Sequence, residues 1–553
     1  MTSKRFSLIS DFNVEPLSRL LSNSPLEGFK VEVASFGQVY QELAKASADD
    51  DWGSLIWTLP EKTIPTFAKA MDFGVFDVDS CLDEVNMFAA AVLTYARHQQ
   101  HIFVSSWALP PDYRGWGPLD WRPGLGLCNL LAQMNIRLAE RLQEASNIYM
   151  LDAGRWLGSS TGSMAPKMWY AAKVPYTNIV FEHASSDIVA AIRAAEGRSR
   201  RLIVVDLDNT MWGGVVGETG WEGIRLGGHD HVGEAFRDFQ RALKALSQRG
   251  IQLAISSKND EHVAMEAIDL HPEMMLTRND FAGWRINWDD KATNINALVQ
   301  ELNLGLDSVV FIDDNPAERD RVREALPNVM VPDWPVDPTR YVSSLRALKC
   351  FDMVTISQED RGRTAMYAAE RERRNIRSTV ASSDDWLRRL ETCLNVSRIS
   401  ASNIARVVQL FNKTNQLNLS TRRLDESAIL NWSDAPGHSM LVISASDRFG
   451  DMGLVGIIGV ETTTTSAQLV DFILSCRVMG RKVEETMLHL AASEAQRLGA
   501  REVVARYIPT KRNRPTLDVL RSSGLIEISE YVFRSENVDQ LSKPDAVKVE
   551  LAV

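Results

Sequence analysis

The chain has 553 residues, of which 45% are hydrophobic and 24% charged, with a formal net charge of −11. This length predicts about three or four domains with sizeable cores, and the acidic balance argues against non-specific binding of nucleic acid. The five cysteines are scattered without a CxxC pair, which argues against a disulfide framework or a zinc site and is typical of a reducing compartment.

The N-terminal residues lack an apolar core of signal-peptide length, and the longest helix-like apolar run, at 87–96, is too short to cross a bilayer. We therefore expect a cytoplasmic protein that binds neither membranes nor nucleic acid.

Residues 1–195 alternate apolar strands with amphipathic helices. "SLIWTL", "HIFVSSW" and "NIYMLDA" have the pattern of strands, and "GLCNLLAQMNIRLAERLQEA" is apolar at helical spacing. This alternation predicts an α/β domain with helical crossovers. The polar, charged segment "AAEGRSRR" at 194–201 predicts the first domain boundary.

A second α/β domain is predicted at 196–356. Strand "RLIVVDLD" is followed by a glycine-rich turn, a helix that ends at Gly250, strand "IQLAISS", two further helices and strand "SVVFIDDNP". Acidic residues at the ends of alternating strands indicate a doubly wound sheet with a site at its carboxyl edge.

The charged residues 357–392 predict a helical linker, and residues 393–553 predict a domain of another kind. Three strand-like runs, "SMLVISASD", "GLVGIIGVE" and "AQLVDFILSC", follow one another closely, with a few helices around them. We expect a mostly antiparallel α+β domain.

The clearest chemical signal is "VVDLDNTMWGGVVGE" at 204–218, where a buried strand ends in Asp206 and Asp208. Alternate residues of a strand share a face, so two carboxylates lie about 6–7 Å apart there. Such a pair suits a hard divalent cation and a phosphate. One carboxylate can attack phosphorus while its partner acts as general acid and base.

This pattern resembles the first motif of the haloacid dehalogenase (HAD) superfamily, and the remaining motifs follow in order. The resemblance implies a Rossmann-like sheet and a bound Mg²⁺, with Asp206 as nucleophile and Asp208 as general acid and base. It assigns phosphoryl binding to Ser257 in "LAISSKND" and charge neutralisation to Lys291 in "NWDDKATN". The implied metal site comprises Asp206, Asp208, Asp313 and Asp314. Of the last two, Asp314 is favoured over Asp313 as the direct ligand. The space between the first two motifs holds only a flap and one helix, so no large cap domain is expected.

The sequence around these motifs indicates a narrower family within the superfamily. "DLDNTMWGGVVGETG", "INWDDKATNI", "FIDDNPAERDRVR" and, further on, "FNKTNQLNLSTRR" and "SDRFGDMGLVG" resemble the FkbH-like glyceryl transferase/phosphatases. The resemblance implies that 1,3-bisphosphoglycerate is the substrate. It also implies that a dephosphorylated glyceryl group is loaded onto the phosphopantetheine thiol of an acyl carrier protein, for polyketide extender units of the methoxymalonyl type.

Residues 1–195 resemble a degenerate flavodoxin-like or SGNH-hydrolase domain more weakly. "ISDFN" places Asp11 where such a hydrolase has its serine, which predicts a docking role rather than hydrolysis.

Residues 393–553 resemble a GNAT acyltransferase through "RVMGRK" at 477–482, where a loop before a helix resembles one that binds pyrophosphate. Cys476 directly precedes this loop, and the neighbouring cation and helix would favour its thiolate, so a glyceryl thioester on it is one interpretation and a buried structural cysteine is the other. The residues assigned to substrate or phosphopantetheine binding are Thr210, Asn259, Arg477, Gly480, Arg481 and Lys482.

Two alternatives stay open. The chain could be a free-standing Mg-dependent phosphatase with a vestigial GNAT-like domain, which would release phosphate without a carrier protein. It could also be a non-catalytic scaffold for a carrier protein, which the four HAD motifs argue against.

Overall fold

The structure is a computed structural model that describes most of the chain. The described residues are 4–24, 28–45, 51–158, 162–228, 230–302, 304–354, 369, 373, 377, 382–414, 416–462, 465–510, 512–535 and 541–551. Most of the charged linker predicted at 357–392 lies outside these residues. The chain divides into two compact units, Met1–Thr277 with Trp284–Arg361 and Arg278–Gly283 with Gly362–Val553.

The first unit begins with a five-stranded parallel sheet in the order β2-β1-β3-β4-β5. Its central strands are apolar on both faces because helices pack on both sides, with Leu8 in one buried cluster and Ile9 in the other. The elements are β1 (Lys4–Ser10), α1 (Glu15–Ser22), β2 (Phe29–Val33), α2 (Val39–Leu43), β3 (Asp51–Trp57), α3 (Pro60–Thr63), α4 (Pro65–Met71), α5 (Val78–Ala96), β4 (His101–Ser105), α6 (Leu127–Leu142), β5 (Ile148–Leu151), α7 (Ala153–Gly158), α8 (Pro166–Ala172) and α9 (Asn178–Ala195).

The same unit continues with β6, β7 and β9 of a four-stranded sheet in the order β8-β7-β6-β9, whose strand β8 begins in the segment Arg278–Gly283. The central strand β6 is completely buried and pairs in parallel with β7 and β9. The elements are β6 (Leu202–Val205), α10 (Val216–Thr219), α11 (His231–Gln248), β7 (Gln252–Ser257), α12 (Glu261–Leu270), β8 (Phe281–Ile286), α13 (Lys291–Glu301), β9 (Val309–Ile312), α14 (Pro316–Ala325) and α15 (Tyr341–Ala347).

Short polar side chains cap the N-termini of four helices in the region of this second sheet. Asp230, Asp260, Asp290 and Asn315 each accept a hydrogen bond from a backbone N–H in the first turn of the helix that follows. Such caps satisfy N–H groups that have no partner within the helix. The caps after β7 and β9 therefore fix where the chain turns back at the carboxyl edge of the sheet.

The second unit is built on a mixed sheet in the order β16-β17-β15-β14-β13-β12-β10-β18, with the short strand β11 beside β14. Most pairs are antiparallel, but β14 with β15 and β10 with β18 are parallel. The elements are α16 (Ser383–Leu390), β10 (Thr392–Arg398), α17 (Ile404–Lys413), β11 (Leu417–Asn418), α18 (Glu426–Ser433), β12 (His438–Asp447), β13 (Gly450–Thr462), β14 (Ser466–Leu474), α19 (Val483–Arg497), β15 (Glu502–Arg506), α20 (Arg514–Ser522), β16 (Ile526–Ser529), β17 (Val532–Ser535) and β18 (Val547–Leu551).

Strand β14 changes partner along its length. Residues 466–469 pair with β15, whereas Ile473 and Leu474 pair with β11 instead. The sheet therefore opens between β14 and β15, and the chain's own residues 417–418 occupy the opening.

These sheets confirm the predicted fold class, with parallel α/β sheets in the first unit and an α+β sheet in the second. The division at residues 195, 356 and 392 stays a prediction. Among the described residues, no helix combines the length and apolar character that a membrane crossing requires.

Candidate active site

The site lies at the carboxyl edge of the second parallel sheet. Val205 pairs with Ile312 at the ends of β6 and β9, so Asp206 and Asp313 follow neighbouring strands at the same level. The Asp206 N–H donates to the Ile312 carbonyl oxygen at 3.0 Å, which extends the pairing into the acidic turn. Register alone therefore brings residues more than a hundred positions apart in the chain to one edge.

Lys291 joins these carboxylates from the first position of α13. Its Nζ lies 2.6 Å from Asp313 Oδ2 and 2.9 Å from Asp206 Oδ1, and all three side chains are buried. Burial alone would lower the pKa of Lys291, but the charges of Asp206 and Asp313 outweigh it and raise the pKa. The lysine is thus held as a cation between two carboxylates.

Three carboxylates, those of Asp206, Asp313 and Asp314, lie near a single cation, Lys291. Burial raises the pKa of both Asp313 and Asp314, and the negative charge of Asp206 raises both further. The Lys291–Asp206 contact also lacks hydrogen-bond geometry, so Asp206 Oδ1 is a buried carboxylate oxygen without a hydrogen bond among the described residues. Additional positive charge is what this cluster lacks.

The cluster fits a divalent cation. Asp206, Asp313 and Asp314 can each offer one carboxylate oxygen, and these oxygens lie within 4.8 Å of one another. Hard cations such as Mg²⁺ prefer oxygen ligands of this kind. These three residues, with the unsatisfied oxygen of Asp206 among them, are the ones that would hold the metal.

Asp208 lies apart from this set, although the sequence predicts it as a metal ligand. Its Oδ1 accepts from Trp212 Nε1 at 2.8 Å and from the Val216 N–H at 3.1 Å, and its Oδ2 accepts from Asn259 Nδ2 at 2.8 Å. Both oxygens therefore accept hydrogen bonds from the flap and from the β7–α12 turn, which places the Asp208 carboxylate outside the cluster, and its role as a metal ligand stays a prediction. Burial raises the pKa of Asp208, as a general acid requires.

Two residues assigned to substrate binding instead hold the aspartates. The buried Thr210 hydroxyl accepts from the Asp314 N–H at 3.1 Å and lies 3.3 Å from Asp314 Oδ1. Asn259 is also buried and donates its amide to Asp208. Both residues thus help to position the aspartates, and their predicted contacts with substrate stay a prediction.

Ser257 is buried at the last position of β7, beside β6 and at the same edge of the sheet. Its carbonyl oxygen accepts from the Asn287 N–H at 3.1 Å, which ties the loop before Lys291 to the end of β7. The structure therefore brings Ser257 to the edge that carries Asp206, and its predicted role in phosphoryl binding stays a prediction.

Three supporting residues are absent from the sequence-based prediction. The Tyr341 hydroxyl donates to the Asn209 carbonyl oxygen at 3.0 Å, and Arg319 Nη1 donates to the carbonyl oxygens of Asp313 and Asp314 at 2.7 Å each. Asn209 adopts a left-handed backbone with φ of 56°, which asparagine tolerates better than most residues. Only the "DNT" wording offers a local signal for this turn; Tyr341 and Arg319 act through tertiary contacts.

Several groups of the candidate acyl-transfer loop in the second unit already have partners within the protein. The Gly480 N–H donates to Glu484 Oε1 at 2.6 Å, and the buried Arg481 places Nη1 3.4 Å from Asp447 Oδ2. Lys482, the left-handed residue that precedes α19, pairs with Glu485 at 2.7 Å.

The structure does not test the predicted roles of Arg477 and Cys476, at the start of the same loop. Arg477 is half-buried within the short helix Cys476–Val478. The Cys476 side chain lies outside the described residues, so its predicted thioester role stays a prediction.

No protein-family model and no curated protein matches this chain. The crystal structure of the N-terminal part of the protein BF1531 from Bacteroides fragilis, which contains a phosphatase domain and is complexed with Mg, is similar to it. The two are 26% identical with a TM-score of 0.58, over 64% of this chain and 96% of that one.

Smaller matches include the GNAT domain of S. lividans PAT, at 16% identity and a TM-score of 0.21 over 25% of this chain and 86% of that one. A putative acetyltransferase, yncA of Salmonella typhimurium with acetyl-CoA, matches at 15% identity and a TM-score of 0.21, over 28% and 98%.

Proposed function

We propose that the first unit is a Mg-dependent phosphatase of the HAD type. The observation that carries this proposal is the buried cluster of Asp206, Asp313 and Asp314 around Lys291, at the carboxyl edge of a parallel sheet. The similarity to a phosphatase-containing structure complexed with Mg supports the same reaction class. When bound, the cation would offset the charge of a phosphate and polarise its oxygens.

The protein's own residues perform the proton and phosphoryl steps. An oxygen of Asp206 attacks phosphorus, and the bond from phosphorus to the leaving oxygen breaks while Asp208 gives that oxygen a proton. Asp208 then takes a proton from a water molecule that attacks the aspartyl phosphate, which releases phosphate and restores Asp206. Lys291 holds positive charge beside Asp206 throughout.

The first test is Asp206→Asn, which keeps the shape of the side chain but removes the nucleophile. We expect the release of phosphate from a small phosphomonoester in Mg²⁺ to fall at least about a thousandfold. Asp289→Asn, at an exposed position of the nearby loop, is the control and should keep wild-type activity. Undiminished turnover in Asp206→Asn would contradict the proposed reaction.

At the level of substrate and partner, we propose that the chain is a glyceryl transferase/phosphatase. Its substrate would be 1,3-bisphosphoglycerate, and its partner a phosphopantetheinylated acyl carrier protein. The substrate's acyl phosphate can give its acyl group to the thiol, forming a C–S bond as the C–O bond to phosphate breaks, and its phosphomonoester is a substrate for the phosphatase site. The sequence motifs on both units support this proposal.

Intact-protein mass spectrometry tests the transfer. The full chain is incubated with 1,3-bisphosphoglycerate, Mg²⁺ and holo carrier protein, and a glyceryl or phosphoglyceryl adduct on the carrier is expected. Cys476→Ala serves as the matched variant for an adduct trapped on the enzyme. If the adduct persists in Cys476→Ala, that cysteine is not the acyl carrier; if the carrier protein stays unmodified, the transfer proposal fails.

The hydrogen bonds and ion pairs within the loop at 480–484 favour a second candidate, a free-standing phosphatase. Glu484 already uses the Gly480 N–H at the start of α19, and Arg481 faces Asp447, so groups that would bind an incoming phosphate have protein partners. Phosphate release that is equally fast with and without carrier protein, and no carrier adduct, would favour this alternative.

A further inference from the structure

A cavity of about 590 Å³ lies within the first unit, between α9 and the residues around the short helix Lys349–Phe351. Some of the residues that line it belong to the region of the first sheet, such as Val189 of α9. Others belong to the region of the second sheet, such as Met330 after β9. A volume of this size is that of a site for a small molecule. Nothing in the phosphatase chemistry uses this cavity.

Cations dominate the charged groups of the wall. Arg193, Arg198, Arg200 and Lys349 line the cavity. The carboxylates that line it are Glu182 and Asp307. The serine hydroxyls of Ser24, Ser185, Ser186 and Ser199 add hydrogen-bonding groups.

The cations differ in how they are compensated. Lys349 pairs with Asp187 at 2.5 Å and Arg198 with Glu196 at 3.4 Å. Arg200 Nη1 instead donates to three carbonyl oxygens, which carry no formal charge. Arg193 has no ion pair or side-chain hydrogen bond with any residue that the structure describes.

The like charges also act on one another. Burial is the main cause that lowers the pKa of Arg200; Cys350 and Asp307 oppose it, and the positive charges of Arg193 and Arg198 add smaller lowering contributions. Three guanidinium groups therefore gather around one cavity although they repel each other. An anion that enters would relieve this repulsion and receive several N–H donors at once.

We propose that this cavity binds a small phosphorylated molecule, with Arg193 and Arg200 directed to its phosphoryl group. A phosphoryl group carries up to two charges and three acceptor oxygens, which match a set of guanidinium and hydroxyl donors better than a single carboxylate does. The apolar wall at Leu20, Val189 and Met330 suits the body of such a ligand.

This site is separate from the phosphatase centre. Arg200 precedes β6, whereas Asp206 follows it, so the two lie at opposite ends of the same strand. Six residues of extended chain span roughly 20 Å. A ligand in the cavity therefore does not contact the acidic cluster.

Isothermal titration calorimetry with pyrophosphate tests the proposal on the full chain, in metal-free buffer at constant ionic strength. We expect saturable binding with one site per chain. Arg193→Ala should weaken it at least about tenfold, and Arg193→Lys, which keeps the charge but loses the planar fork, should give an intermediate affinity. Arg19→Ala, an exposed arginine of α1, is the matched control and should bind like the wild type.

Further measurements distinguish the proposed site from binding at the phosphatase centre and from non-selective binding of polyanions. Asp206→Asn should bind pyrophosphate as tightly as the wild type, since the phosphatase centre is not the site; loss of binding in this variant overturns the proposal. Citrate at the same ionic strength should bind at least tenfold more weakly, and equal affinity would show a site for any polyanion rather than for phosphoryl groups. Absence of saturable binding, or Arg193→Ala that binds like the wild type in a folded protein, also overturns it.

Discussion

Thr210 shows how one hydroxyl can set the position of a candidate metal ligand. It bonds to both the backbone N–H and the side chain of Asp314, 104 residues further along the chain. Asp314 is one of three carboxylates that can hold the cation, and its remaining freedom depends on this contact. Residues of this kind orient ligands without touching the metal.

Removing this hydroxyl should weaken metal binding more than it slows turnover. We expect Thr210→Val, which keeps the shape of the side chain, to raise the Mg²⁺ concentration for half-maximal phosphate release about tenfold. Thr210→Ser retains the hydroxyl and should remain close to the wild type. Equal Mg²⁺ requirements for the valine and serine variants would show that the hydroxyl does not position Asp314.

At the scale of elements, Asp11 connects the end of β1 to the start of α3. Its carboxyl group accepts from the Leu59 N–H at 3.1 Å and from the Thr63 hydroxyl at 3.3 Å. Burial raises the pKa of Asp11 from 3.8 to about 7, with a smaller contribution from Glu61 and with the Leu59 hydrogen bond opposing it. The folded sheet therefore favours the protonated carboxyl.

This preference makes stability depend on pH. Below about pH 4 the group is protonated in both states, so burial has no ionic cost; between pH 4 and 7 the unfolded chain ionises first, and folding becomes less favourable as pH rises. The full cost above pH 7 is at most about 4 kcal/mol. Asp11→Asn should therefore raise the thermal unfolding temperature by several degrees at pH 8 and hardly at all at pH 4.5, relative to the wild type. Asp112→Asn, at an exposed turn, should show no such pH dependence; a uniform effect of Asp11→Asn across pH would refute the ionic explanation.

In the second unit, the buried side chain of Asn513 helps to hold β11 in place. Asn513 accepts from the Tyr507 hydroxyl and from the N–H and hydroxyl of Thr510, and it donates to the carbonyl oxygens of Asn418 and Ile508. It is fully buried. This amide, together with the Thr516 hydroxyl, links the β11 segment to the chain that follows β15.

Replacing the amide by a carboxylate of the same shape should loosen this link. In Asn513→Asp the two donated hydrogen bonds become repulsive contacts between oxygens, and we expect amide exchange at Leu419 and Ile508 to accelerate about ten- to a hundredfold. Leu419 donates to Phe472 and Ile508 donates to Leu419, so both report on the β11 segment. Arg512→Ala, at an exposed neighbouring position, is the control; unchanged exchange in Asn513→Asp would mean that packing alone holds β11.

The same elements show what the sequence can predict. β6 and β9 are predictable because each is a continuous apolar run, and β7 because it has an apolar centre; all three are buried along their length. β1 mixes charged and apolar residues, and β11 has only two residues, so neither shows a usable period. β11 exists through its pairing with Ile473 and Leu474, which no local pattern encodes.

In the candidate site, too, some features can be predicted from local sequence and others depend on tertiary contacts. The strand-end aspartates and Lys291 can be predicted from motifs and from the edge on which parallel strands end. The direction of each side chain cannot, since Asn259 finds Asp208 across 51 residues of chain. Sequence reasoning therefore locates the carboxylates but not the hydrogen bonds that hold Asp208 outside the cluster.

On the scale of the whole molecule, the described residues of the proposed phosphatase site belong to the first unit. A fragment of residues 1–361 should therefore release phosphate from a small phosphomonoester at a rate within about twofold of the full chain, because compact units with their own cores can fold alone. The solved N-terminal part of BF1531 covers a similar share of the chain. The same fragment should fail to acylate a carrier protein in the mass-spectrometric assay. A soluble, folded fragment without phosphatase activity would contradict this division of labour.

The hydrogen bond from Tyr341 to the Asn209 carbonyl oxygen spans 132 residues, and it has a consequence for biosynthesis. The acidic turn leaves the ribosome early, whereas the hydroxyl that braces it is added late. A nascent chain that stops short of Tyr341 already carries every carboxylate of the cluster but lacks the brace on their turn. The hydrogen bond that braces this turn can thus form only near the end of translation of the first unit, well after the carboxylates have been joined.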